Sequence, residues 1–304
     1  MSFASEVKDE LLNVKTNKPC CKTAEEYGIL LFSKTFSASK IVITTESAGV
    51  ALRVKNIFAS VSGGADVFQR RSENRKKVYT ISAKSRGSKQ IIDRFGHMPP
   101  EKSETGIYGR VALRINRANI ENECCAGAFL RGVFLSCGTV SDPQKEYHLE
   151  FFVSHRRLAK DLCDLLNELG IQARMTLRKS AAIIYLKESE SIEDFLTLTE
   201  AVEASLSIMN TKIYKDFRNL TNRRVNCETA NITKTVNAAG TQILAIEKLM
   251  KSKKINVLSK ELKTIAVLRY ENPEMSLREL AQLCKMSRSG INHRLNKLIE
   301  ISEK

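Results

Sequence analysis

Near the end of the chain, the segment SRSGINHRLNK (Ser287 to Lys297) concentrates hydrogen-bond donors. Read as a helix, it puts Arg288, Ser289, Asn292, His293 and Lys297 on one side, with Arg294 nearby, and no acid follows before Glu300. A merely solvated helix face usually mixes in Glu or Asp. This one offers donors suited to phosphate oxygens and base edges. The opposite side, Ile291, Leu295, Leu298 and Ile299, is apolar at helical spacing. The chemistry expected of such a face is recognition of a polyanion. The whole chain agrees: 49 Lys and Arg against 34 Asp and Glu give its 304 residues a formal charge of +15. Solubility without a partner is the plainer reading of that charge.

The elements that must carry this face are legible. ELKTIAVLRYENP is a helix stopped before Pro273. SLRELAQLC opens with a capping box, Ser276 with Glu279, and is expected to bury Leu277, Leu280, Ala281 and Cys284. The turn KMS leads to a second N-cap at Ser287. Two short helices, a tight turn and a basic second helix read as a helix-turn-helix. Gly290, in the first turn, costs that helix about 1 kcal/mol against alanine but permits close approach. Upstream, FRNLTNRRVNCETANITK carries Arg218, Arg223, Arg224 and Lys234 in a poorly periodic stretch. It reads equally as an interdomain connector or a phosphate-contacting arm, leading into a helix from about Asn237 to Met250.

The eight cysteines comprise two adjacent pairs, Cys20-Cys21 and Cys124-Cys125, and four singles, with no C-x-x-C ladder. Buried thiols are expected rather than disulfides or zinc, and no metal or cofactor is called for. No apolar run is long enough to span a bilayer, and Met1 to Asn13 alternates charged and apolar residues rather than forming a signal peptide. A cytoplasmic, nucleoid-associated protein with no membrane partner is expected.

The first two-thirds of the chain repeats at a spacing of a little over a hundred residues. A small-residue helix (Ala24 to Phe36), strand KIVITTE, helix VALRVKNIFASV, strands ADVFQRR and KKVYTISA and a helix around SKQIIDRFG form one copy. AGAFLRGVFLSCGTV, strand YHLEFFVS, helix RRLAKDLCDLLNELG, strands QARMTLRK and AAIIYLKE and helix SIEDFLTLTEAV form the other. Gly170 ends the middle helix of the second copy, and Ser191 with Asp194 is expected to cap its last one. The order α-β-α-β-β-α therefore occurs twice, an α+β arrangement. Gly28 and Gly132 occupy corresponding points of the two leading helices, where small residues would let the helices meet about a pseudo-two-fold axis. Packing of Gly132 on its own sheet is the alternative.

FLRGVFLSCGTV resembles the LAGLIDADG helix of homing endonucleases. In that family two such helices form the core of a DNA-straddling saddle, and each ends in an acid that shares divalent metal. The corresponding positions here are Cys137 and Ser33, neither of which replaces a carboxylate at magnesium. Asp142, beside Pro143, reads as a turn residue. Across nearly its whole length the chain is similar to the WhiA family of bacterial transcription regulators. The residues carrying the match are SFASEVKDEL, GAFLRGVFLSCGTVSDP, YHLEF, YLKESESIEDFL, NRRVNCETAN and SLRELAQLCKMSRSGINHRLNKL. The resemblance implies a degenerate nuclease fold, a C-terminal helix-turn-helix, and a role at sporulation, cell-division or chromosome-segregation genes.

The expected organisation is a first repeat over 1–115, a second over 116–217, and a linker helix with helix-turn-helix over 218–304. The leading function is a non-catalytic regulator bound to double-stranded DNA at promoter regions, with other regulators or RNA polymerase components as further candidate partners. An active endonuclease is the minor alternative. A third reading makes the saddle a protein or ligand platform, because its arginines (Arg53, Arg70, Arg71, Arg75, Arg86) also suit solvated charge.

Overall fold

The computed structural model describes residues 2–71, 77–83, 85–97, 113–178 and 181–303, and divides into two units, Met1–Tyr214 and Lys215–Lys304. In the first unit α1 (Phe3–Asn13) precedes a copy made of α2 (Pro19–Leu31), β1 (Thr35–Phe36), β2 (Ile41–Thr45), α3 (Ala48–Ser62), β3 (Ala65–Arg71), β4 (Lys77–Ala83) and α4 (Ser85–Arg94). The second copy is α5 (Glu123–Cys137), β5 (Gly138–Val140), β6 (Leu149–Val153), α6 (Arg156–Glu168), β7 (Arg174–Arg178), β8 (Ala181–Leu186) and α7 (Ser189–Leu198). Each copy has one strand more than the sequence pattern predicted. β1 and β5 are two and three residues long, too short to show a strand period, and pair antiparallel with β2 and β6. The sheets run β1-β2-β4-β3 and β5-β6-β8-β7, one topology used twice. This is the LAGLIDADG-type saddle.

The paired leading helices are its spine. A Cβ on Gly28 would collide with the Phe129 carbonyl oxygen, and one on Gly132 with that of Glu25. The contacts are reciprocal at one offset, since 132 − 28 and 129 − 25 both equal 104. The glycines therefore serve the helix pair and not a sheet. Gly127 differs: its space is taken by the Leu198 carbonyl at the end of α7. Between the helices lies a charge network centred on Arg131. Arg131, 1% exposed, donates from Nε to Glu25 at 2.8 Å and from the rest of its guanidinium to Thr199 O, Glu200 and the Thr16 hydroxyl. Glu25 also accepts from Arg53 at 2.8 Å, while the other terminal nitrogen of Arg53 donates to Leu12 O. Arg53 is thus committed to α1 and α2 rather than being a free surface charge.

Of the two helix ends singled out in the second copy, one is as expected and the other is not. Gly170, at φ +82°, does follow α6 in the left-handed conformation that glycine suits. Ser191 does not cap α7; it lies buried inside the helix, which starts after Glu188 without a side-chain cap.

The largest correction concerns α8 (Val202–Lys251), one continuous helix where a polar lead followed by a shorter helix was predicted. It contains no proline and a single glycine, Gly240. Threonines along it turn their hydroxyls back to carbonyls one turn earlier: Thr221 to Phe217, Thr233 to Thr229, Thr235 to Asn231 and Thr241 to Asn237, at 2.9–3.0 Å. Arg224 and Glu228 add an i,i+4 pair at 3.0 Å. The weak helix formers here each cost only tenths of a kcal/mol, so a chain without breakers stays helical.

In the second unit α9 (Lys260–Glu271), α10 (Leu277–Leu283) and α11 (Arg288–Glu303) close over the end of α8. Ile246, Leu249, Leu262, Ile265, Leu280, Ile291, Leu295 and Leu298 form their core. Leu277 and Cys284 are half-buried at its margin, and Ile299 is half-buried. Among the described residues no helix is long and apolar enough to cross a membrane.

Candidate nucleic-acid interface

The helix-turn-helix is assembled by caps at both turns. Ser276 and Glu279 form the reciprocal capping box, Ser276 N–H to the carboxylate at 2.7 Å and Glu279 N–H to the hydroxyl at 3.3 Å. The Ser276 backbone N–H, and after it the Ser276 hydroxyl, hold the Glu279 carboxyl below the usual range. The turn passes through Lys285, at φ +51°, and Ser287 then accepts from the Gly290 N–H at 3.1 Å. The free side of Gly290 faces the Ser287 hydroxyl and the Arg294 guanidinium, so its small size also serves the cap.

With Ile291, Leu295 and Leu298 buried, α11 turns Ser287, Arg288, Ser289, Asn292, His293 and Lys297 to solvent. Arg294 does not join them. It bridges Glu261 on α9 at 2.7 Å and donates to Gly290 O, and so fastens the bundle. Next to the turn, a cavity of about 390 Å³ is lined by Lys234, Gln242, Arg269, Ser276, Arg278 and Arg288 among others. Arg269 is 1% exposed and donates to Met275 O, while its Nε and the Gln242 Oε1 have no partner among the described residues. Burial lowers the Arg269 pKa. Of the three arginines on the linker, Arg218 and Arg223 are exposed and Arg224 is held by Glu228.

In the first unit Ser33 and Cys137 are brought together. Both line a groove of about 300 Å³ at the C-terminal ends of α2 and α5, with Lys34, Thr44 and His155. No carboxylate is among its described lining residues. Burial pushes the Cys137 thiol up to about 12, and its sulfur donates to Val133 O at 3.5 Å. Glu46 lines a neighbouring cavity beside Lys8. Asp142 is occupied in its turn, accepting from the Gln144 N–H at 2.9 Å. On the sheets, Arg70, Arg71, Arg174 and Arg178 are exposed along β3 and β7, together with Phe68 and Leu177. Arg86 is exposed as well, and Arg75 and Lys179 lie outside the described residues.

Comparison with known proteins decides the family. The model of the WhiA LAGLIDADG-like domain matches residues 126–218, and that of the WhiA C-terminal HTH domain matches 221–302. A probable cell division protein WhiA of Alkaliphilus metalliredigens (strain QYMF) is 36% identical over 315 residues, spanning 100% of this chain and 98% of its own. The chain belongs to the WhiA family. A second WhiA relative, from Ruminiclostridium cellulolyticum, is 38% identical over 314 residues with the same coverage. Full-length WhiA from Thermatoga maritima superposes with a TM-score of 0.58 at 24% identity over 100% of this chain and 98% of that one, which shows a shared fold.

Two features of this WhiA chain escaped sequence reasoning. Arg131 sat unremarked inside an apolar stretch, although a lone arginine among Phe129, Leu130, Val133 and Phe134 is itself the signal of a buried, paired charge. The two cysteine pairs and four singles all read as buried thiols. Instead Cys124 and Cys227 are exposed, and Cys20, Cys21, Cys124 and Cys125 converge. The equal spacing of the two pairs could have revealed this.

Proposed function

We propose that the chain is a non-catalytic transcription regulator that reads duplex DNA through the exposed face of α11. The carrying observation is that face: Arg288, Ser289, Asn292, His293 and Lys297 are all free to contact DNA, with no acid on the helix before Glu300. In a helix-turn-helix the first residues of the second helix reach base edges while cap residues meet phosphates. Arg288 and Asn292 are assigned to bases, and Ser276, Ser287 and Lys297 to phosphates. The basic cavity under Ser276 and Arg288 offers a phosphate oxygen one buried donor without a partner among the described residues, the Arg269 Nε–H. Arg223 extends the phosphate contacts along α8, and Arg294 keeps a structural role. The named role of the WhiA relatives in cell division supports promoters of division or segregation genes as targets, in the cytoplasm at the nucleoid, with other regulators or RNA polymerase as partners.

Arg288→Ala or Asn292→Ala should each weaken specific binding by roughly 1–3 kcal/mol if the side chain reads a base edge. Anisotropy titrations on specific and scrambled duplexes check this. Unchanged specific affinity in both folded variants would move recognition to another surface.

The groove at Ser33 and Cys137 supports loss of hydrolysis. Two-metal cleavage needs hard anionic oxygens that a hydroxyl and a protonated thiol do not supply. Supercoiled plasmid incubated with excess protein and Mg²⁺ or Mn²⁺ is expected to stay intact. Metal-dependent nicking that follows the protein through purification would contradict this.

The exposed arginines of β3 and β7 favour a second, auxiliary DNA surface on the saddle. Each phosphate contact there steepens log affinity against log salt by about 0.9. Replacing Arg70, Arg71, Arg174 and Arg178 together with alanine should therefore flatten the salt slope of the full chain. An unaltered slope would assign the saddle to protein or ligand partners instead.

A further inference from the structure

The cysteines obey the same offset as the glycines: 124 − 20 and 125 − 21 both equal 104. Cys20 and Cys21 stand in the first turn of α2, Cys124 and Cys125 in the first turn of α5. Because the two helices lie together from the same end, the pairs meet. All four sulfurs are within 4.8 Å of one another, with Cys20 Sγ 4.0 Å from Cys21 Sγ and 3.9 Å from Cys124 Sγ. Thiolates arranged tetrahedrally about zinc, at Zn–S of about 2.3 Å, stand roughly 3.8 Å apart. We infer that Cys20, Cys21, Cys124 and Cys125 form a tetrathiolate site for one zinc ion that joins the two copies of the saddle at the end away from the Ser33–Cys137 groove.

Four soft ligands and no oxygen select zinc over magnesium or calcium. The short mutual distances suit a single ion. In an iron–sulfur cluster four thiolates are divided over two or four irons, so sulfurs on different irons stand farther apart. A disulfide would use the sulfurs two at a time and close one pair to about 2.05 Å, which gives no reason for all four to converge. The surroundings fit the charge that would develop. Four thiolates and Zn²⁺ carry a net −2, and the positive ends of α2 and α5 both point at them. The Asn122 amide lies 3.9 Å from Cys125 Sγ as an outer donor. Binding displaces one proton from each thiol, including the one that Cys21 donates to Cys124 O at 3.1 Å, and involves no oxidation. Cys124 is exposed and Cys20 half-buried, which leaves the ion a way in, while Cys21 and Cys125 are buried. The site is independent of the DNA-binding reading.

Full-length protein purified in reducing, chelator-free buffer should carry about one zinc per chain by plasma mass spectrometry. The apo-protein titrated with Co²⁺ should take up one equivalent, with sulfur-to-cobalt charge transfer in the near ultraviolet and the visible bands of a tetrahedral thiolate site. Cys20→Ser with Cys124→Ser should bind Co²⁺ at least roughly tenfold more weakly and lose those bands. Cys163→Ser with Cys227→Ser, outside the cluster, should keep both. The wild-type titration decides the matter even if the ligand variant fails to fold. Fully reduced apo-protein that gives no charge-transfer band with Co²⁺ would overturn the site. So would bands that persist in the folded Cys20/Cys124 variant, or a Cys20–Cys124 cross-link in protein purified without metal.

Discussion

Replacing Arg131 with methionine should destabilise the protein by roughly 3–5 kcal/mol, the range for breaking a buried ion pair from one side. Arg131 is 1% exposed and serves Glu25, Thr199 O, Glu200 and the Thr16 hydroxyl at once. Methionine matches its length and apolar stem but supplies no donor. Glu25, itself 3% exposed, would then keep Arg53 as its charged partner with only the Thr16 hydroxyl beside it, and Thr199 O would lose its guanidinium donor. Lysine should recover only part of the loss, because one ammonium cannot span four acceptors placed around a planar fork. Arg224→Ala removes a solvent-exposed pair of similar length and should change stability by no more than about 0.5 kcal/mol. Urea unfolding of the three variants measures the contrast. If Arg131→Met stayed within about 0.5 kcal/mol of wild type, the network would not be what secures α2 against α5 and α7.

Gly132→Val should cost about 3 kcal/mol or more, at or beyond the upper end for overpacking. The atom in the way is the Glu25 carbonyl oxygen, part of the α2 backbone, so no side-chain rotation relieves the clash. Relief requires the helices to separate, which would strain the Arg131–Glu25 bond as well. Gly28→Val meets the Phe129 carbonyl in the position related by the pseudo-two-fold axis and should behave alike. Gly240→Ala is the opposite case. Nothing lies within 4 Å of its added carbon inside α8, so it should stabilise by about 0.4–1 kcal/mol. Thermal melts of the three variants should give two large losses and one gain. A tolerated valine at 132 would mean that the helix pair slides freely.

These two effects also mark where sequence reasoning succeeded and where it stopped. The glycines at 28 and 132 were legible because a helix interior penalises glycine, so their presence needed a close neighbour. The helix-turn-helix was legible because Ser276, Glu279 and Ser287 are local caps, and caps act within four residues. The continuous α8 was not, because asparagine and threonine favour turns and caps only when the chain offers an alternative to helix, and Thr221, Thr233, Thr235 and Thr241 spend their hydroxyls inside the helix. β1 and β5 escaped because two or three residues carry no period. The inward turn of Arg294 was invisible for a different reason: its partner, Glu261, lies on another helix. The convergence of the cysteine pairs shows in no local stretch; its only trace in the sequence is the 104-residue offset they share with Gly28 and Gly132.

The central claim, that α11 reads duplex DNA, is tested most directly by DNase I footprinting of the full-length protein on genomic fragments that it enriches. The Arg288→Ala/Asn292→Ala double variant is run beside it, with its fold verified by circular dichroism. The wild type should protect a discrete site. The double variant should lose that protection at matched concentration while still retaining bulk DNA at low salt through its remaining phosphate contacts. An identical footprint from both proteins would contradict the account, as would the absence of any sequence-dependent protection by the wild type.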